Sequence, residues 1–230
     1  MGIAERQERE RRRRIEMILD AATVVIAEKG IEGAIMDDIA AAAELGKSTL
    51  YNYFASKQLL LAGLDLRGTK IEEEGFRSAY NAGKDGLDRA LRIGRFYFKY
   101  AMEHTVCFQA KVQIGRISPA MFNRLKDDPL LKEYMQAVLR IHQILADALA
   151  DGISDGTIRS DLDPQRMSLL LWCQSNGVIE ITQNRGELLT AVRGVAMKQI
   201  EDDFFRVMEL QLAAPGSDAT MSHKQKDTDR

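Results

Sequence analysis

Proline occurs at only four positions in this 230-residue chain, and at none of the first 118. Three of the four follow a residue type that caps helices: Ser118-Pro119, Asp128-Pro129 and Asp163-Pro164. That is the pattern of helix starts, because proline lacks an N–H that the first helical position would leave unpaired anyway, and its fixed φ suits the helix. Pro215 follows the last apolar-periodic stretch and would end it. Asp85-Gly86 and Asp155-Gly156 are pairs that can turn a hairpin, but each lies between helical patterns and reads as a loop. The expected fold class is all-α.

Apolar spacing supplies the helices. Ile15, Ile18, Leu19, Ala22, Val25 and Ile26 make one stripe, closed by Lys29-Gly30. Short helices are expected over 36–43 and 47–54, and Ser56 caps a long one running towards residue 80. Further helices are expected over 87–104, 106–116, 129–151, 164–184 and 187–212, with a polar loop over 151–163. The densest apolar run, Leu169 to Cys173, falls far short of the roughly 18 residues of a membrane helix. The charged stretch Glu5 to Arg14 has no apolar core segment, so no signal peptide is expected, and Arg6 stands where a myristoylation signal needs Ser or Thr. Two cysteines, Cys107 and Cys173, cannot make a disulfide framework. A cytoplasmic chain with no membrane partner is expected.

Net charge of −2 gives no support to nucleic-acid binding, so any such case must be local. Residues 36–55 hold that case. Ile39, Ala43, Leu45, Leu50 and Tyr53 fall where two short helices crossing at a tight turn need buried side chains, and Ala40 permits their close approach. This is a helix-turn-helix spacing, whose second helix fits a major groove. That helix carries Lys47, Ser48, Thr49, Tyr51 and Asn52, types suited to phosphates and base edges. On spacing alone an ordinary helical hairpin with a polar face fits equally well.

The order of short motifs adds to this. Ile18-Leu19-Asp20-Ala21-Ala22, Glu28-Lys29-Gly30, Asp38-Ile39-Ala40, Ser48 to Phe54 and Ser56-Lys57-Gln58-Leu59-Leu60 together resemble the DNA-binding region of the tetracycline-repressor (TetR) family of transcriptional regulators. The resemblance implies that Lys47 to Tyr53 form the recognition helix, that Thr49, Tyr51 and Tyr53 touch the DNA backbone, and that Lys57 meets a phosphate. Beyond about residue 60 it extends only to length and helical character. The chain departs from the family pattern at Glu44, where the turn commonly has Gly, at Gly46, where a Ser usually caps the recognition helix, and at Ala34-Ile35, which replace hydroxyl residues. Residues 1–14 carry six positive and three negative charges, whereas 15–57 set three lysines against seven carboxylates. Positive charge is therefore concentrated in the arm, and Arg11, Arg12, Arg13 and Arg14 are candidate DNA contacts.

Other motifs fail. Gly46-Lys47-Ser48-Thr49 lacks the earlier glycine and the preceding strand of a phosphate-binding loop. His104, His142 and His223 show no metal-ligand spacing, and no nucleophile elbow or paired acid–base motif is present, so neither metal, cofactor nor enzymatic activity is expected.

The expected domains are a helix-turn-helix DNA-binding domain with a basic arm (1–56), a larger helical ligand-binding and dimerisation domain (57–212), and a disordered tail (213–230). Candidate ligand residues are Phe96, Tyr100, His104, Phe108, His142, Trp172 and Asn176, which would suit a small, mainly apolar effector. Candidate dimer residues are Leu169, Trp172, Cys173, Val192, Val195, Ile200, Phe204 and Met208. The functional expectation is a homodimeric, ligand-responsive repressor on an inverted-repeat, double-stranded operator. The alternatives are an all-α binding or enzymatic protein with a structural N-terminal hairpin, or a regulator controlled by a protein partner.

Overall fold

The computed structural model describes residues 2–216, which form ten α-helices joined by short connections. Residues 217–230, with His223 and most of the expected tail, lie outside the described residues. The helices are α1 (Ile3–Gly33), α2 (Met36–Ala42), α3 (Lys47–Tyr53), α4 (Lys57–Ala82), α5 (Gly86–Glu103), α6 (Thr105–Gly115), α7 (Pro119–Leu125), α8 (Pro129–Asp155), α9 (Pro164–Arg193) and α10 (Met197–Leu212). Gly30 breaks the regular path of α1 with φ 73°, a value glycine adopts without a Cβ clash, as Lys29-Gly30 led us to expect. At the start of α4, the Ser56 hydroxyl accepts the Leu59 N–H at 3.2 Å.

Packing divides the chain into two compact units. The first holds residues up to Lys70 together with His104–Ala137, and the second holds Ile71–Glu103 together with the chain from Val138 onward. In the first, Ile18, Leu19, Ala22 and Ile26 of α1 are buried with Ile39 and Ala40 of α2, Leu50 of α3, its cap Phe54, Leu60 and Leu64 of α4, and Phe108 of α6. In the second, a bundle buries Ile93, Tyr97, Phe98 and Tyr100 of α5, Ile141, Leu145 and Leu149 of α8, Leu171 and Ile179 of α9, and Phe205, Met208 and Leu212 of α10. The apolar faces meet here because most of a helix's stability in a protein comes from packing its apolar face rather than from propensity.

Three expectations need correction. Residues 151–155 are the last turn of α8, not a loop. Their acidic side chains would disfavour a helix C-terminus, but tertiary partners hold them: Asp151 pairs with Arg89 and accepts from Tyr80, and Asp155 accepts the Gly86 N–H at 2.8 Å. The segment around residues 185–187 does not separate two helices. Gly186 is buried inside α9, where a Cβ would lie 2.9 Å from Met197, and the helix stops instead at Gly194, which takes the left-handed cap with φ 68°. Finally, α7 was not among the expected helices, although Ser118 caps it by accepting the Met121 N–H.

Candidate nucleic-acid interface and bundle cavity

The reading element is built from α2 and α3. Ile39 and Leu50 are fully buried and Ala40 nearly so, which fixes both helices on the core of the first unit. Between them, Ala43 N–H bonds to Ile39 O, Glu44 N–H to Ala41 O and Leu45 N–H to Ala40 O, so the turn's backbone is satisfied. Glu44 takes φ 54°, the left-handed region where a side chain is strained. Glu44→Gly should therefore stabilise the first unit by about 1 kcal/mol, read as a raised midpoint in chemical unfolding. An unchanged or lowered midpoint would mean that the turn carries no such strain.

The exposed face of α3 carries Lys47, Ser48, Thr49, Tyr51 and Asn52, while Tyr53 is half-buried. Lys47 is engaged inside the chain by Asp37 of α2, at 2.9 Å. The Asp37 carboxylate, by hydrogen bond first and charge second, holds the Lys47 ammonium above the usual lysine range. Beside it Lys29 pairs with Asp38 at 2.8 Å, and that hydrogen bond holds Asp38 below the usual carboxylate range. The two carboxylates in the first turn of α2 are thus each matched by a lysine. Neither Ile35 before α2 nor Gly46 before α3 supplies a side-chain cap, in keeping with the departures noted in the sequence. In the arm, Arg11, Arg12 and Arg13 are exposed and Arg14 is half-buried, with Arg12 bonded to Glu8 one turn earlier.

Lys57 occupies a place that its sequence position did not reveal. Its ammonium donates to the carbonyls of Ile31 (2.6 Å), Ala34 (2.6 Å) and, more weakly, Glu32 (3.4 Å), at the end of α1. A helix C-terminus leaves such carbonyls without intrahelical partners, and a cation there also meets the favourable end of the helix dipole. All three ammonium donors have acceptors, so a phosphate would have to displace carbonyls. Lys57→Met, which keeps the stem and removes the donors, should cost the first unit about 1–2 kcal/mol. Denaturant unfolding of the variant checks this, and an unshifted midpoint would show the carbonyls to be equally well served by water.

The candidate ligand residues divide. Phe96, Tyr100, His142, Trp172 and Asn176 belong to the second unit, His104 and Phe108 to the first. The four-residue spacing from Phe96 through Tyr100 to His104 does not continue one face, because α5 ends at Glu103 and His104 is the cap of α6, with φ −119° and ψ 49°. Within the second unit a small cavity of about 30 Å³ lies between α4, α5, α8 and α9. His142 and Trp172 line it and touch edge-to-face, with ring centres 5.3 Å apart. Asn176 accepts the Tyr97 hydroxyl at 2.6 Å, and Phe96 packs edge-on against Phe76. Tyr100 is fully buried, stacked on Tyr97, and is not one of the cavity's lining residues. Glu72, Phe76, Tyr97 and Ser175 also line the cavity and were missed from the sequence. Glu72 gave no local signal, since it opens Glu72-Glu73-Glu74, a run that reads as a solvated face.

Along α9 and α10 runs an open apolar groove of about 540 Å³, lined among others by Gly177, Val178, Ile181, Val195, Ile200, Phe204 and Val207. Leu169, Cys173, Val192 and Ile200 are exposed and Trp172, Val195 and Phe204 half-buried. Met208 is turned inward instead, with its sulfur 3.6 Å from where a Cβ on Gly94 of α5 would stand. No group of three or more metal-ligating side chains occurs among the described residues, and no helix there is long and apolar enough to cross a membrane.

Comparison with known proteins agrees with this geometry. Residues 18–64 match the family described as bacterial regulatory proteins, tetR family. The fatty acid metabolism regulator protein of Bacillus subtilis (strain 168) is 30% identical over 159 residues, 67% of this chain and 76% of that protein. FadR from Bacillus subtilis, solved with stearoyl-CoA, shares the fold with a TM-score of 0.64 over 85% of this chain and 98% of its own, at 17% identity. AibR, solved with isovaleryl coenzyme A and operator DNA, superposes with a TM-score of 0.60 over 84% and 97% of the two chains, at 19% identity.

Proposed function

The chain belongs to the tetR family of bacterial regulatory proteins, DNA-binding transcriptional regulators that respond to ligands, and we propose that it is a repressor released by a fatty-acyl thioester. The observation that carries the DNA side is the α3 face, where Lys47, Ser48, Thr49, Tyr51 and Asn52 stand exposed on a helix fixed to its core by Leu50. On this reading α3 enters the major groove and Arg11 to Arg14 follow the phosphate backbone. Tyr53 and Lys57 act mainly by positioning, Lys57 through the end of α1. Residues 1–56 form the reading domain and 57–212 the effector and dimer domain, to which Ala213 and Ala214 are tied through the backbone of Ile158 and Thr157.

A homodimer joined through the α9–α10 groove would present two recognition helices to an inverted repeat. The effector reading rests on the cavity in the second unit, supported by the fatty acid regulator of Bacillus subtilis among the relatives. Since the cavity holds only about 30 Å³, an occupant must part the helices around it. Ligand binding would then favour an arrangement of the dimer that no longer fits the operator. The protein would work in the cytoplasm and by binding alone, without a catalysed reaction. The test is fluorescence anisotropy of a labelled duplex taken from the DNA flanking its own gene, with acyl-CoA thioesters of increasing chain length. We expect tight binding that a long-chain member abolishes. Binding that no acyl-CoA alters would sink the effector assignment, and an absence of binding the operator assignment.

A further inference from the structure

Leu50 is fully buried, and Phe54, one turn further on, is buried with it, so one side of α3 is fixed against the core. At about 100° of rotation per residue, Ser48 and Asn52 leave α3 within about 20° of the direction opposite Leu50. They stand one turn apart on a single line, and both are exposed. Thr49 and Tyr51 leave at about 80° to either side of that line, and Lys47 and Tyr53 lie further round still. Lys47 is moreover tied back to Asp37 at 2.9 Å. When such a helix lies in a major groove, its outermost line meets the base edges, and its flanks face the phosphate backbones. The hydroxyls of Thr49 and Tyr51 are therefore placed for phosphate oxygens, and Ser48 and Asn52 for bases.

The residue types on the outer line narrow the choice of base. Guanine presents two acceptors, O6 and N7, and is read by Arg or Lys. The helix α3 contains no arginine, and its one lysine, Lys47, stands on the flank. Adenine presents an acceptor, N7, beside a donor, the N6 amino group. A side-chain amide matches both at once, its NH2 donating to N7 and its carbonyl oxygen accepting from N6. The Ser48 hydroxyl can donate or accept, so it sorts the bases weakly. Resting on the DNA-binding reading above and sharpening it, we propose that Asn52 sets base specificity by reading one adenine in the major groove of each operator half-site. Thr49 and Tyr51 fix the register of α3 on the backbone and carry no base preference.

A randomised double-stranded DNA library is selected on the full-length protein, and the enriched duplex is measured by fluorescence anisotropy. Each half-site should hold one adenine whose replacement by guanine, with its paired base, lowers affinity about tenfold or more. Asn52→Ala should lose that preference and keep those at other positions, whereas Tyr51→Phe should weaken every duplex alike. Putting 7-deazaadenine at that position replaces N7 by a C–H, so it should weaken the wild type and leave Asn52→Ala unmoved. Asn52 is exposed and alanine is the better helix former, so the variant should fold. The wild-type response to 7-deazaadenine stands as evidence if it does not. Several results overturn the Asn52 assignment and leave the DNA-binding reading standing. These are a base preference that survives in Asn52→Ala, a loss spread equally over all duplexes, a freed position that is not adenine, a wild type indifferent to 7-deazaadenine, or binding that enriches no sequence. A wild-type protein that binds no duplex overturns both.

Discussion

Gly86→Ala is expected to destabilise the second unit by about 3 kcal/mol, among the largest effects of any single methyl group added to this chain. Gly86 opens α5 directly against α8. A Cβ there would lie 2.0 Å from the backbone nitrogen of Gly152, 2.2 Å from its Cα and 2.8 Å from the Ala148 carbonyl oxygen. Those are backbone atoms, so no rotamer change relieves the overlap and the helices must separate. Separation would also strain the Gly86 N–H bond to Asp155 and the Leu87 N–H bond to Thr157. Urea unfolding measures the loss. Gly115→Ala is the matched control, because nothing stands within 4 Å of its added Cβ and alanine is the better helix former. If Gly86→Ala unfolds at the wild-type midpoint, α5 and α8 do not cross at these glycines.

Charging the α9–α10 face should have the larger consequence for function. Phe204 lies in the groove but also stacks on Phe98 and meets Phe205 edge-on, so replacing it would disturb the bundle as well as any partner. Ile181 and Ile200 are exposed and offer a cleaner test. Ile181→Glu with Ile200→Glu should give a monomer with wild-type helix content and an operator affinity lowered about 100-fold or more. The loss follows because two linked half-site contacts become two independent ones. Sedimentation reads the first result and anisotropy on the full operator the second. A variant that remains dimeric, or a monomer that binds as tightly as the wild type, would falsify this interface.

Local chemistry made some parts of this molecule legible in advance and left others hidden. Gly30 and Ser56 act on their immediate neighbours: Gly30 breaks the regular path of α1, which resumes as far as Gly33, and Ser56 caps α4. Ile39 and Leu50 are buried where the two-helix spacing requires, because the turn between them is only a few residues long. The misreadings share a cause, namely partners distant in sequence. Asp151 to Asp155 look like loop residues until Arg89, Tyr80 and the Gly86 N–H receive them. Gly186 reads as a stop until Met197 is found against it. Lys57 is expected at a DNA phosphate, and the carbonyls it holds instead lie 23 to 26 residues away. In the cavity, His142 and Trp172 stood out as rare residue types, whereas Glu72 was concealed by the two carboxylates that follow it.

The Lys57 clamp also bears on chemical reactivity. An amine attacks a thioester or an active ester through its nitrogen, and the Lys57 nitrogen is enclosed by three carbonyl oxygens that stand where the reagent would have to approach. Lys84 and Lys99, whose side chains are mostly in solvent with a single carboxylate 3.9 and 3.7 Å away, are open to the reagent. In a timed acylation followed by mass spectrometry, those two should be marked early and Lys57 last. The lag at Lys57 then becomes a clock for how often the end of α1 lets go, a local opening read in one lysine without unfolding anything else.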